Sequence, residues 1–296
     1  MSSYLPLLKA TNPTRPTHIM AILNLTPDSF SDGNIHSSTN IQALEKTVQD
    51  FIKSGATVID IGGQSTRPNA EKVSPAKELE RILPAIKHVR SMPEAKNIAV
   101  SVDTFYATVA EEAIAAGADI INDVTAGEED PLMFATVARL QKTIILMHMR
   151  GTPQTMTQLT QYPDGVINGV GRELSKRVEA AKAAGILPWR IILDPGIGFA
   201  KTQDQNLELL RRLDDLRAFQ GLAGFPWLVG TSRKGFIGKI TGVAKADERA
   251  WGTAAAITAS IKGGADIVRV HDVAQMTQVA KMADAMFRVE DKQKTG

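Results

Sequence analysis

The chain predicts a (β/α)8 barrel in a single domain, and three observations carry that prediction. Eight short runs, rich in β-branched residues and apolar on both faces, recur along the sequence, as strands buried in a parallel sheet must be. Segments with helical spacing separate them, so the order is strand, loop, helix throughout. No G-x-G-x-x-G follows the first run, which counts against an open doubly wound sheet.

Taken in order, the predicted strands are residues 19–23, 58–61, 98–102, 120–121, 143–147, 191–193, 227–229 and 267–270. Helical periodicity marks residues 41–54, 75–89, 106–116, 172–184, 206–213, 248–262 and 272–287 between and after them. The first helix stops at Gly55. Ala116-Gly117-Ala118-Asp119 and Gly263-Gly264-Ala265-Asp266 repeat that pattern, a glycine ending a helix just before the next strand. The 296 residues slightly exceed the ~250 typical of such a barrel. Residues 1–17, polar and carrying Pro6, Pro13 and Pro16, read as a lead-in or linker. Residues 18–289 read as the barrel and 290–296 as a charged tail.

Composition removes several function classes. Zero cysteines exclude disulfides, thiolate metal sites and a cysteine nucleophile, and fit a reducing, cytoplasmic compartment. A net charge of +2 with interspersed signs carries no nucleic-acid signature. No apolar run is long enough to span a bilayer, and the start lacks the apolar core of a secretory signal. H-E-x-x-H, Walker A and G-x-S-x-G are all missing, so covalent catalysis is not indicated.

Polar residues stand where the predicted strands end: Asn24, Gly62-Gly63, Asp103, Asn122, His148, Asp194, Ser232 with Lys234, and Arg269 with His271. In such barrels chemistry sits at the carboxyl ends of the strands, so a ring of amides, carboxylates and cations there predicts an active site. Singly, each residue has a plainer reading. Asp103 before Thr104 suits a helix cap ahead of Tyr106, and Asp194 before Pro195 suits an Asx turn. Carboxylates with an amide suit a heterocycle bearing a guanidine-like edge. The cations Arg67, Arg233, Lys234, Arg269 and His271 point to a strongly anionic ligand, phosphate or diphosphate. Alone, residues 229–238, a strand running into Ser232, the cations Arg233 and Lys234 and then Gly235, which opens a helical segment, read as a phosphate cradle. Asn24 with Asp28 and Asp32 offers oxygen ligands for Mg2+. Long connections at residues 25–39 and 62–74 are candidate lids, since βα loops usually run to ~2–6 residues, and residues 149–162 form a third long connection.

These motifs resemble dihydropteroate synthases. The matching text is Asn24-Leu25-Thr26-Pro27-Asp28-Ser29-Phe30-Ser31-Asp32-Gly33, Asp60-Ile61-Gly62-Gly63-Gln64-Ser65-Thr66-Arg67-Pro68, Ser101-Val102-Asp103-Thr104, Ile121-Asn122-Asp123-Val124, Met147-His148-Met149-Arg150-Gly151, Asp194-Pro195-Gly196-Ile197-Gly198-Phe199, Thr231-Ser232-Arg233-Lys234 and Arg269-Val270-His271-Asp272-Val273. The match is collinear from about residue 19 to about residue 287. Gln64, where many members carry an acid, and Asn69, where glycine is common, depart from the pattern.

The resemblance implies condensation of 6-hydroxymethyl-7,8-dihydropterin diphosphate with 4-aminobenzoate, by an SN1-like route, in folate biosynthesis. It implies that Asp103, Asn122 and Asp194 bind the pterin's amino-pyrimidine edge, that Met147 and Phe199 form apolar walls, and that Lys234 reaches the ring's carbonyl and N5 side. Diphosphate then falls to Asn24, Thr66, Arg269 and His271, with Asn24 also on Mg2+, which moves the anion away from the strand-seven turn. Phe30, Pro68 and Ser232 line the 4-aminobenzoate pocket, and Asp28 and Arg67 join Asp103 and Lys234 at the reacting centre. The family further implies a homodimer, sulfonamide inhibition and, if the chain is part of a eukaryotic multifunctional protein, mitochondrial placement. Two alternatives are a methyltetrahydrofolate-binding methyltransferase-like barrel and a non-catalytic pterin-binding module. The first has no evident need for Ser65-Thr66-Arg67-Pro68 and Arg269-Val270-His271, the second none for both lids with Arg67 and Lys234.

Overall fold

Eight parallel strands form the sheet of the computed structural model, which describes residues 14–26, 41–65 and 70–288. They are β1 (His18–Asn24), β2 (Val58–Gly62), β3 (Ala99–Asp103), β4 (Ile120–Asp123), β5 (Thr143–Met147), β6 (Ile191–Asp194), β7 (Leu228–Val229) and β8 (Ile267–Val270). Hydrogen-bonded neighbours run β6-β5-β4-β3-β2-β1-β8-β7. A parallel bridge between Leu193 and Trp227, with the Leu193 N–H donating to the Pro226 carbonyl at 2.9 Å, joins β6 to β7 and closes the ring. The predicted (β/α)8 barrel is therefore the observed one.

Alternation along each strand sorts the side chains. Met20, Val58, Ala99, Ile120, Ile145, Ile192, Leu228 and Ile267, one from every strand, form a closed apolar cluster that fills the lower barrel. Residues of the opposite parity, among them Leu23, Ile59, Val102, Ile121, Leu146, Leu193, Val229 and Val270, pack outward into the larger core shared with the helices.

Those helices are α1 (Ile41–Lys53), α2 (Pro75–Ser91), α3 (Ala107–Ala115), α4 (Met133–Leu140), α5 (Val166–Ala183), α6 (Gln203–Arg211), α7 (Leu213–Arg217), α8 (Gly235–Thr241), α9 (Ala250–Lys262) and α10 (Val273–Phe287). Local chemistry sets several starts. Ser74 accepts from the Lys77 N–H with Pro75 at the first helical position of α2, and Thr202 and Gln205 form a capping box on α6. Helices α4 and α7 were not foreseen, whereas α8 starts at the glycine expected to open a helical segment. Helix α4 spans only two turns and α7 only five residues, so neither has the length that makes periodicity legible. Helix α5 begins at Val166, earlier than residue 172, because Gly165 adopts φ +83° and turns the chain into it.

At the amino ends of the strands, Arg15 pairs with the fully buried Asp266, and the Thr17 hydroxyl donates to Asp284 at 2.6 Å. Residues 14–17 of the expected lead-in are thus fastened to the barrel floor. No helix among the described residues is long and apolar enough to cross a membrane.

Candidate active site

Two residues above the apolar cluster, on the same inward parity, stand Ile22, Asp60, Ser101, Asn122, Met147, Asp194, Gly230 and Arg269. Four above it come Asn24, Gly62, Asp103 and His271. The interior therefore changes from hydrocarbon to polar at one level, just below the carboxyl rim. Asp60, Asp103, Asn122 and Asp194 are all buried. The pairing register sets Asp103 beside both Gly62 and Asn122, and Asn24 beside Gly62. The three positions are close neighbours: a Cβ at Gly62 would stand at ordinary contact distance, 3.4 Å from the Asp103 Cβ and 3.6 Å from the Asn24 side-chain oxygen.

Arg269 ties the polar layer together. Its Nε donates to Asp60 Oδ2 at 2.6 Å and its Nη2 to Asp103 Oδ2 at 2.7 Å, while Asn122 Nδ2 donates to the same Asp60 oxygen at 3.1 Å. Burial pushes the Asp103 carboxyl up; Arg269 pulls it down, and the Asp60 charge adds to the upward push. Asp194 is raised to about 6 by burial, against the Gly196 N–H that it accepts at 2.7 Å and the positive charge of Lys234.

One wall of the mouth is apolar. Met147 and Phe199 share a cluster with Phe105, Val124, Met156 and Ala200. The Lys234 ammonium sits 4.1 Å from the centre of the Phe199 ring, a cation–π position that aims it across the cavity toward Asp194. On the strand-eight side, Ser232 Oγ accepts from the His271 N–H at 3.1 Å and lies 3.0 Å from its Nδ1. The two side chains expected in different subsites are thus in direct contact.

The structure brings Asn24, Asp103, Asn122, Met147, Asp194, Phe199, Ser232, Lys234, Arg269 and His271 to one mouth. Asp28, Phe30, Thr66, Arg67 and Pro68 lie outside the described residues. His148, a member of the expected ring, and Arg233, one of the cations expected to meet an anionic ligand, do not face the cavity. His148 has outward parity, is buried, and bonds Glu173 and Lys201. Arg233, in the left-handed region at φ +61°, turns away to grip Asp272 through Nε at 3.2 Å and Nη2 at 2.6 Å. The helix-cap reading of Asp103 fails, because Asp130, not Asp103, accepts from the Ala107 N–H at the start of α3. The Asx-turn reading of Asp194 holds and leaves its second oxygen for other partners. Sequence reasoning missed Asp60 as a site residue. The available signal was its inward parity with Val58, an acid inside an otherwise apolar strand. Phe105 and Val124 were missed as walls because they follow the strand-end residues and carry no polar mark.

The arrangement has the chemistry of a flat, amino-bearing heterocycle held between acids and an apolar wall, with cations at one edge. Comparison with known proteins agrees. The model of the pterin binding enzyme family matches residues 20–271. The dihydropteroate synthase of Synechocystis sp. is 49% identical over 92% of this chain and 91% of its own length. The folic acid synthesis protein fol1 of Pneumocystis carinii is 50% identical over 92% of this chain, which spans only 36% of that longer protein. Among solved structures, Clostridium difficile dihydropteroate synthase in the presence of pteroic acid superposes with a TM-score of 0.83 at 37% identity, covering 93% of this chain and 98% of that one. Yersinia pestis dihydropteroate synthase with a sulfonamide drug complex gives 0.83 at 36%, covering 92% and 94%. On this footing the chain belongs to the pterin-binding enzymes and, within them, to the dihydropteroate synthase family.

Proposed function

We propose that this chain condenses 6-hydroxymethyl-7,8-dihydropterin diphosphate with 4-aminobenzoate to give 7,8-dihydropteroate and diphosphate. The observation that carries the reading is the inward layer of Asp103, Asn122 and Asp194, faced by Lys234 over Phe199 and bounded by Arg269. The carboxylates accept the amino-pyrimidine N–H groups, Asn122 offers both a donor and an acceptor, and Lys234 donates to the ring's carbonyl and N5 edge. Met147 and Phe199 cover the ring faces.

In the reaction the C–O bond to diphosphate breaks with its electron pair leaving on oxygen. The 4-aminobenzoate nitrogen then attacks the pterin methylene cation and gives up a proton. Positive charge on the leaving group and negative charge near the cation both favour this order. Arg269 supplies the first, with hydrogen bonds from His271, Asn24 and Thr66. Asp103 supplies the second. Ser232, Pro68 and Phe30 line the arylamine side, and Arg67 and Asp28 join the reacting centre. A closed mouth keeps water from capturing the cation.

Among the described residues no cluster of three or more acids and histidines could cage a metal. A lone amide oxygen such as that of Asn24 instead fits Mg2+, which keeps several waters and is held largely by substrate phosphates. When bound there, the ion would neutralise charge on the departing diphosphate. The chain would act in the cytoplasm, or in a mitochondrion within a longer eukaryotic protein, as a sulfonamide-sensitive homodimer. The exposed Trp251 and Ile240 are apolar groups that such a pairing would cover. Incubation with both substrates and Mg2+ tests the reading. Stoichiometric diphosphate and dihydropteroate are expected, and a folded chain that forms neither refutes it.

A further inference from the structure

The turn of residues 195–200, between β6 and α6, carries Asp194 at its entrance and Phe199 near its exit. It is an improbable backbone. Gly196, Gly198 and Ala200 take φ values of +66°, +84° and +47°, the last rarely adopted by a residue with a side chain. Something outside the turn must hold it.

Five side chains that do not line the cavity do so. The Lys201 ammonium donates to the Gly196 carbonyl at 3.0 Å, to the Phe199 carbonyl at 2.9 Å and to His148 Nδ1 at 2.9 Å, using all three of its protons. Because Nδ1 accepts, the imidazole proton lies on Nε2, which faces Glu173 Oε2 at 2.9 Å. Glu173, on α5, is gripped in turn by Arg150 through Nε at 2.9 Å and through Nη2. Arg150 stacks on Tyr162, 3.8 Å from its ring centre, and the Tyr162 hydroxyl donates to the Ala200 carbonyl at 3.1 Å. The circuit therefore leaves the turn at Lys201 and returns to it at Ala200. His148 adds a backbone clasp. Its N–H donates to the Asp194 carbonyl at 2.9 Å, and its own carbonyl lies so close to Gly196 that a Cβ there would overlap it.

We propose that Lys201, through the chain Lys201–His148–Glu173–Arg150, is a positioning residue that sets Asp194 and Phe199, and so the pterin half of the site. The inference rests on the reading of this mouth as a pterin site. Protonation supports it. Burial holds His148 down at about 4, so the ring is neutral and can accept from Lys201. Burial also pulls Lys201 down to about 7, with Asp194 pulling it up, Arg150 pushing it down, Glu173 pulling up and Lys234 pushing down. As pH rises through that range, one of the three donors is lost and the turn loosens.

The test is Lys201→Met, which keeps length and removes every donor, beside Glu173→Gln, which breaks the circuit from α5. Steady-state kinetics and calorimetric binding of bare 6-hydroxymethylpterin are measured from pH 6 to 9. In both variants KM for the pterin diphosphate should rise about tenfold to a hundredfold, with KM for 4-aminobenzoate unchanged. Pterin affinity of the parent should fall on the alkaline side of about pH 7, a limb missing from Lys201→Met. A merely structural role would lower activity without splitting the two KM values or moving that limb. Should Lys201→Met not fold, Glu173→Gln carries the same comparison. Parent-like pterin KM and affinity in a folded variant overturn the inference alone. A parent with no affinity for pterin overturns the reading of the mouth, and the inference with it.

Discussion

Asp60 offers a sharp test of how the polar layer is held, because a single buried oxygen bears two of its residues. In Asp60→Asn the amide oxygen can still face Arg269 and Asn122, but the charge is gone. The new NH2 then occupies the place of Oδ1, a fully buried atom without a hydrogen-bond partner among the described residues. Losing a charge-assisted bond to Arg269 costs about 1.5–3 kcal/mol. The larger penalty of about 3–5 kcal/mol for orphaning a buried charge is not reached, since Arg269 keeps Asp103 at 2.7 Å. A net loss of about 2–3 kcal/mol lowers Tm by about 4–10 °C in a chain of this size. The functional loss should exceed the thermal one, because Arg269 and Asn122 shift together, and displacements of that kind cost about a hundredfold in kcat/KM. There is also a signature of sign. The Asp60 charge pushes the Asp103 carboxyl up, so removing it must lower the pH at which Asp103 ionises. Differential scanning calorimetry and kcat/KM by diphosphate release, both across pH, read these effects. Parent-like Tm with parent-like kcat/KM would refute the view that Asp60 orients the layer.

Four further outcomes follow from the geometry. Asp194 must be ionised to accept from the pterin, and its raised pKa of about 6 means that affinity rises with pH through that value; the acid limb of pterin binding should vanish in Asp194→Asn. Arg269→Ala should weaken the diphosphate substrate about a hundredfold but bare pterin only about tenfold in competition binding, and equal losses would remove Arg269 from the anion side. Gly196→Ala should cost about 2–5 kcal/mol in denaturant unfolding, since its Cβ meets the His148 carbonyl, whereas Gly242→Ala, in open space at φ +75°, should cost about 1–2 kcal/mol. Chelating Mg2+ should abolish diphosphate release and its return should restore it, while thermal stability stays constant, because no described acid cluster depends on the ion.

Much of this was legible before any coordinates. Buried parallel strands write themselves as short apolar runs, so all eight were found, and β7, only two residues long, was caught because Trp227 and Leu228 precede Val229. Motif likeness then supplied roles that composition could not. What stayed illegible has physical reasons. Helices α4 and α7 are too short to show a period. The circuit from Arg150 to Lys201 joins residues that no local pattern connects, since the Glu173 on α5 that closes it is fixed only by tertiary packing.

The misplaced members of the ring share one cause, and it yields a rule for this barrel. Adjacent polar residues at a strand's end take opposite faces, and the two faces do different work. Asn122 points inward to Asp60, while Asp123 points outward and accepts from Thr125 N, Thr125 Oγ1 and Gly127 N, folding the loop after β4. Met147 lines the cavity, while His148 clasps the turn after β6. Ser232 meets His271 at the mouth, while Arg233 holds Asp272 at the start of α10. Position at the carboxyl end is therefore not enough to assign a residue to the substrate. Parity counted from the apolar cluster separates groups that face the cavity from groups that hold the loops around it. By that count Asp60 and Arg269 belong to the cavity, and His148 to its frame.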